Sequence, residues 1–188
     1  MWDTIGQLQF DMLRSKGLRP EHHLYDIACG ALRLGVKAIP YLETGRYHGL
    51  EKEPDLIKAA LEHELAPELR ERKRPELVIS SSFEFEKFSA DPDFAIAQSL
   101  FTHLTPDLIN LCFAKLRPRM KRDSVFYATF VKPAPGLRNP KKSHARLGFF
   151  YEEQEMLAFG TRNGFSGHYI GDWNHPRGQV LVEYRAAS

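Results

Sequence analysis

The stretch Leu24-Tyr25-Asp26-Ile27-Ala28-Cys29-Gly30 decides the fold. Leu24 to Ile27 is a short, largely apolar run, the length and composition of a buried strand. Ala28-Cys29-Gly30 is the turn that ends it. Residues 31–42 then carry helical periodicity as far as Gly45. A strand that breaks into a glycine turn and then a helix builds a ligand site, because the sheet edge leaves a crevice and the helix start offers unpaired N–H groups. Gly30 has no Cβ, so a ligand can lie directly against its backbone.

Working outward, Tyr47-His48-Gly49-Leu50-Glu51 reads as a second short strand, and Glu51 follows Gly30 by 21 residues. An acid about 20 positions beyond such a turn takes a pair of ribose hydroxyls. Two strands, one tight turn and one carboxylate at this spacing point to an adenosine-containing ligand. A nicotinamide dinucleotide fits poorly. Its G-x-G-x-x-G pattern needs bare backbone at the pyrophosphate, where this chain reads Ala28-Cys29-Gly30-Ala31-Leu32-Arg33-Leu34-Gly35.

The rest of the chain alternates in the same way. Trp2, Ile5, Leu8, Met12 and Leu13 predict an amphipathic helix over 3–16. Pro54 opens another helix, through about Leu65, and the charged run Glu68 to Arg74 reads as its solvated tail or a surface loop. Leu77–Ile79 and Phe94–Ala97 read as strands, 106–117 as a helix, and Val125–Val131 as the clearest strand. A loop follows from Lys132 to about Arg146, then a helix over 152–162 and two closing strands, near His168–Ile170 and Gln179–Tyr184. This order predicts an α/β fold with a mainly parallel sheet.

At 188 residues the chain has the length of a single domain, 1–188. A net charge of +2 is too small a bias to argue for nucleic acid or a membrane surface. Cys29 and Cys112 supply neither a disulfide framework nor a metal-spaced pair, so no metal site is expected. The first residues mix acidic and polar side chains among apolar ones, unlike a signal peptide. No apolar run approaches the roughly 20 residues a bilayer span needs. A reducing cytoplasmic setting, as monomer or homodimer, is the expectation.

Asp26-Ile27-Ala28-Cys29-Gly30 resembles the first motif of class I S-adenosylmethionine-dependent methyltransferases, and His48-Gly49-Leu50-Glu51 resembles the second. Asp93 to Leu104 is similar to the fourth-strand motif, which in that family closes over the methionine part of the cofactor. Val125–Val131 and the closing pair match the fifth strand and the antiparallel strands of the fold. The resemblance covers about residues 18–185. It implies a Rossmann-like three-layer sandwich with seven strands, mainly parallel with an antiparallel C-terminal pair, and S-adenosylmethionine as cofactor. It also implies cofactor contacts from Asp26, Ala28, Cys29, Gly30, Arg33, Glu51, Lys52, Ser82, Phe83, Gln98, Ser99 and Leu100. Cys29 then packs beside the cofactor rather than acting as a nucleophile, and Arg33, one turn into the helix after the turn, either reaches the cofactor's carboxylate or is an ordinary surface arginine.

The chain departs from the family pattern in two places. Ala28 stands where a glycine is usual, and Ser80-Ser81-Ser82-Phe83 replaces an acidic third-strand motif, leaving Ser82 to meet the adenine amine and Phe83 to stack on its ring.

Methyl transfer is an in-line displacement, for which the enzyme aligns the acceptor and in some cases removes its proton. His103 and His175 are the candidate bases, and His103 reads otherwise as a helix-capping or packing histidine. His175 sits in Asp172-Trp173-Asn174-His175-Pro176-Arg177-Gly178, which reads either as a recognition cluster or as a hairpin held by its own hydrogen bonds. Lys141, Lys142, His144 and Arg146 form a basic loop that would attract an anionic acceptor or simply be solvated. Residues 1–17 could form a lid, with Trp2 and Phe10 facing inward. No Asn-Pro-Pro-Tyr-type sequence follows the fourth strand, which favours a small-molecule acceptor over an exocyclic amine of DNA or protein. A second function is a non-catalytic S-adenosylmethionine-binding partner subunit, and the missing glycine at Ala28 is what suggests it.

Overall fold

The computed structural model describes residues 1–137, 139–141 and 148–187. Seven strands form one sheet: β1 (Leu24–Ile27), β2 (Tyr47–Glu51), β3 (Glu76–Ile79), β4 (Phe94–Ala97), β5 (Val125–Phe130), β6 (Phe165–Asp172) and β7 (Val180–Ala186). Their order is β3-β2-β1-β4-β5-β7-β6. β1–β2 and β2–β3 pair in parallel, and β7 runs antiparallel to both β5 and β6. This is the Rossmann-like sheet with an antiparallel closing pair that the sequence implied. Packing divides the chain into two compact units, Met1–Ala95 and Ile96–Ser188.

In the first unit, β1 and β2 are buried along their whole length, with Asp26, His48 and Glu51 among the buried side chains. Helix α1 (Trp2–Ser15) buries Ile5, Gly6, Gln9, Met12 and Leu13. It lies close to the turn after β1, since a Cβ on Gly6 would stand 2.5 Å from the Arg33 carbonyl oxygen. Trp2, at the start of α1, is 37% exposed. Phe10 meets the Tyr41 ring edge-on at 5.2 Å.

Helix α2 spans only Gly35–Tyr41, shorter than the 31–42 read from periodicity. Ala28, Gly30 and Leu32 adopt positive φ (61°, 56° and 60°), and these conformations keep the preceding residues out of the helix. After α3 (Pro54–His63), the charged run 68–74 is neither tail nor loop. It forms its own helix, α4 (Pro67–Lys73), opened by Pro67 at the first turn and ended by Arg74 in the left-handed conformation. α4 buries no residue, so it left no apolar stripe in the sequence.

In the second unit, α5 (Pro106–Leu116) and α6 (Glu153–Arg162) flank β5, β6 and β7. Phe113 of α5 centres the core, with Tyr184 at 4.8 Å, Phe165 at 5.4 Å and Phe126 at 5.5 Å, all edge-on. A capping box between Glu152 and Glu155 starts α6. No helix among the described residues is long and apolar enough to cross a membrane.

Candidate functional site

The turn after β1 is built around one carboxylate. Glu51 is the last residue of β2 and only 5% exposed. Its Oε2 accepts the Gly30 N–H (2.9 Å), and its Oε1 accepts those of Lys52 (2.9 Å) and Glu53 (3.0 Å). Glu51 therefore ties the β1 turn to the β2 turn. A carboxylate offers about four acceptor positions, so three N–H donors leave it room at Oε2 for a further donor. Lys52 enters through its backbone, because its side chain is exposed and lies 3.2 Å from Glu53. A Cβ on Gly30 would meet no protein atom within 4 Å, so the backbone there is open to a ligand.

Asp26, at 4% exposure, accepts the Tyr47 hydroxyl hydrogen at 2.6 Å. Burial pushes its carboxyl up to about 7; the Tyr47 hydrogen bond works against this, the Glu51 charge with it, and the Arg33 charge against it. Arg33 lies in the turn before α2 rather than one turn into a helix, and its charge acts on Asp26. Cys29 is 5% exposed, and burial drives its thiol well above the ordinary range, as do the charges of Asp26 and Glu51. It is a packing residue: a Cβ on Gly49 would lie 2.9 Å from its sulfur. Tyr47 was hidden in the sequence because a tyrosine in a buried strand reads as core.

At the end of β3 the Ser80 N–H bonds the Glu51 carbonyl (2.9 Å), and the Ser80 hydroxyl accepts the N–H groups of Ser82 and Glu84, both at 3.2 Å. Ser80 is thus the serine that shapes this turn, while Ser82 is exposed. Phe83 is 7% exposed at a φ of 58°, with its ring 6.2 Å from Phe85. Ala28, Leu32 and Phe83 all carry positive φ without being glycine. Such strain gathers where a backbone is shaped for a ligand.

The second unit holds a polar cluster of its own. Gln98 and Ser99 follow β4, Thr129 lies in β5, and Gln179 directly precedes β7. The Ser99 N–H bonds Thr129 Oγ1 (2.8 Å), Gln179 Oε1 accepts the Thr129 hydroxyl (2.7 Å), and Gln179 Nε2 reaches Ser99 Oγ (2.7 Å). The Gln98 amide nitrogen lies 2.8 Å from Ser99 Oγ, 3.0 Å from Gln179 Oε1 and 3.2 Å from His175 Nε2. Thr129 and Gln179 carry no local sequence signal, because their roles come from strands far apart in the chain.

The segment 172–178 is a turn held by its own hydrogen bonds. The Asp172 carboxylate takes the Asn174 N–H at 2.9 Å, His175 O takes that of Gly178 at 2.9 Å, and His175 Nδ1 takes that of Arg177 at 3.3 Å. His175 is 5% exposed and stacks on Trp173, ring centres 5.3 Å apart. His103, by contrast, is exposed at the end of a 3-10 turn, Phe101–His103, and its N–H bonds the Leu100 carbonyl at 3.0 Å. Of the basic loop, Lys141 is exposed; Lys142, His144 and Arg146 lie outside the described residues. Among the described residues, no group of three or more His, Cys, Asp or Glu could hold a metal ion.

Known structures share this architecture. The glycopeptide N-methyltransferase MtfA superposes with a TM-score of 0.73 at 13% identity, over 96% of this chain and 90% of that one. The magnesium protoporphyrin IX methyltransferase of Synechocystis PCC 6803, solved with bound SAM, gives 0.70 at 15% identity, over 97% and 81%. An S-adenosylmethionine-dependent methyltransferase from Clostridium acetobutylicum ATCC 824 gives 0.70 at 9%, over 97% and 91%. No protein-family model matches the chain, and no curated protein does. The chain thus has the fold of class I S-adenosylmethionine-dependent methyltransferases.

Proposed function

We propose that this protein is an S-adenosylmethionine-dependent methyltransferase acting on a small-molecule acceptor. The observation that carries the proposal is Glu51 closing on the Gly30 N–H at the turn after β1, in a fold whose structural neighbours include enzymes solved with that cofactor. In this reading Glu51 and Asp26 supply the acceptors for the cofactor's hydroxyl and ammonium donors. Gly30 and Ala28 give it backbone to lie on, and Arg33 answers its carboxylate. Cys29 and the Lys52 backbone shape the wall. Phe83, at the β3 turn, would pack on the adenine, and the Ser82 hydroxyl would meet the adenine amine. Of the second-unit residues expected to touch the cofactor, Gln98 and Ser99 are bound into the polar cluster described above, and Leu100 leads into the 3-10 turn.

When bound, S-adenosylmethionine presents a methyl group on an electrophilic sulfonium. The protein's task is then to align a nucleophile and take its proton. His103 is the group proposed to accept that proton, since it is exposed where His175 is buried and already engaged. His175 instead helps hold the 172–178 turn, through the Arg177 N–H and its stack on Trp173.

The direct assay is formation of S-adenosylhomocysteine over a panel of small hydroxyl, amine and carbon acceptors. Turnover with one class supports the proposal. Binding without turnover on any acceptor makes the chain a non-catalytic partner subunit. On an active acceptor, His103→Gln is expected to lower kcat by about 10²-fold or more, the usual worth of a general base; unchanged kcat removes His103 from the chemistry.

A further inference from the structure

At the other end of β1, β2 and β3, away from Asp26 and Glu51, four titratable side chains are joined in one line. Arg46 Nη1 contacts His23 Nε2. His23 Nδ1 lies 2.8 Å from His48 Nε2, and His48 Nδ1 lies 2.9 Å from Glu76 Oε2. The line crosses the strand ladder: His23 immediately precedes β1, Arg46 immediately precedes β2, His48 is in β2, and His48 is in register with both Tyr25 and Glu76. His48 is fully buried, against the rings of Tyr25 (5.4 Å) and Phe88 (5.3 Å), and the two imidazoles meet edge to edge, their centres 5.1 Å apart and their planes tilted by 29°.

The direction of every hydrogen bond in this line follows from its two ends. A guanidinium only donates and an ionised carboxylate only accepts. Burial works to raise the Glu76 carboxyl, but hydrogen bonds from Ser89 and His48 outweigh it and hold it below its ordinary value, so it is ionised at neutral pH. Arg46 therefore donates to His23 Nε2, His23 Nδ1–H donates to His48 Nε2, and His48 Nδ1–H donates to Glu76. One proton on each ring satisfies all three contacts. A second proton on either ring sets two N–H groups head to head, at the Arg46–His23 contact or at the His23–His48 contact.

We propose that Arg46, His23, His48 and Glu76 form an acid-sensitive clamp that holds β1, β2 and β3 together while both imidazoles are neutral and releases them when the line takes up a proton. The charges facing it work in both directions. The Asp93 carboxylate, which accepts the His23 backbone N–H at 2.8 Å, favours a proton on His23, as does Glu76 on His48. Arg46 opposes it, and the Glu43 carboxylate, 4.0 Å from Arg46, weakens that opposition only slightly. His22, beside His23 in sequence, is occupied with the Arg19 N–H at 3.1 Å and the Phe94 ring at 5.2 Å. The hydrogen-bond polarity decides, because each ring nitrogen between Arg46 and Glu76 already has its partner. The clamp needs no ligand, so it stands or falls independently of the proposed function.

The test uses the unaltered protein first. Histidine ¹⁵N NMR at pH 7 is expected to show both His23 and His48 as the Nδ1–H tautomer. Between about pH 7 and pH 5, where a free imidazole titrates, amide exchange in Leu24–Ile27 and Tyr47–Glu51 is expected to rise relative to Val125–Phe130 and Val180–Ala186. Linkage to one proton allows up to about tenfold per pH unit, after correction for intrinsic rates. His48→Gln keeps an acceptor for His23 and a donor for Glu76 but does not titrate at this position, and its differential rise should shrink. Nε2–H tautomers in the unaltered protein, or imidazoles that titrate while both strand pairs exchange in parallel, would overturn the clamp.

Discussion

At the residue scale the turn after β1 holds two unusual choices. Ala28 adopts a φ of 61°, where most side chains are strained by about 1–2 kcal/mol. Glycine would relieve that strain but adds about 0.4–1 kcal/mol of unfolded-chain freedom. Ala28→Gly is therefore expected to stabilise the protein by about 0.5–1 kcal/mol, or roughly 2 °C in Tm for a chain of this size. A lower Tm would mean that the Ala28 methyl contributes packing beyond its strain.

Asp26 is the second choice. Its carboxyl is raised from 3.8 to about 7, chiefly by burial. A group raised in the folded state adds stability in full below its unfolded value and loses it as pH rises through the folded one. Ionising Asp26 should thus remove on the order of 3–4 kcal/mol between pH 4 and pH 8. Asp26→Asn should lose less over that window, measured by denaturant unfolding at pH 5 and pH 8. Equal losses in the two proteins would place the titration elsewhere. The sequence marks Asp26 and Glu51 by spacing alone, but their division of labour depends on Tyr47 and on the backbone N–H groups of Lys52 and Glu53. Those partners are fixed by the β1–β2 pairing and carry no motif.

At the element scale, legibility followed burial. β1 and β4 are readable to the residue because each is a short, largely apolar run closed by a turn, and β2 because it ends on the acid placed 21 residues after Gly30. The start of α2 is not, because Ala28 and Leu32 adopt conformations usually left to glycine, so nothing in the sequence delays the helix. α4 is illegible for the opposite reason: a helix that buries nothing has no periodicity to read. The position of α1 rests on one close approach. A Cβ on Gly6 would come within 2.5 Å of the Arg33 carbonyl oxygen, which is backbone and has little freedom to give way. Gly6→Ala should therefore shift α1 and cost about 1–3 kcal/mol, read from the denaturant midpoint. A gain from improved helix propensity without loss elsewhere would show that α1 is held less closely than the contact implies. The polar cluster of Gln98, Ser99, Thr129, His175 and Gln179 follows the same logic. Gln98, Ser99 and His175 are marked by their neighbours in sequence, whereas Thr129 and Gln179 acquire meaning only when β5 and β7 pair.

At the scale of the whole molecule, seven strands in the order β3-β2-β1-β4-β5-β7-β6 give the methyltransferase fold at sequence identities of 9–15% to known structures. The core of that fold tolerates wide substitution so long as volume and pattern are kept. What a fold leaves open, the residues at its strand ends must specify. Here they are two buried carboxylates, a glycine open to ligand and a ring of strained turns. The most direct measurement is calorimetric titration of the protein with S-adenosylmethionine and S-adenosylhomocysteine, alongside NAD as the competing nucleotide. Saturable binding of one equivalent of either sulfur ligand is expected, weakened in Glu51→Ala by about 1–3 kcal/mol, or roughly 5–150-fold in Kd. Silence with both, and binding of NAD in their place, would contradict the cofactor assignment at Asp26, Gly30 and Glu51.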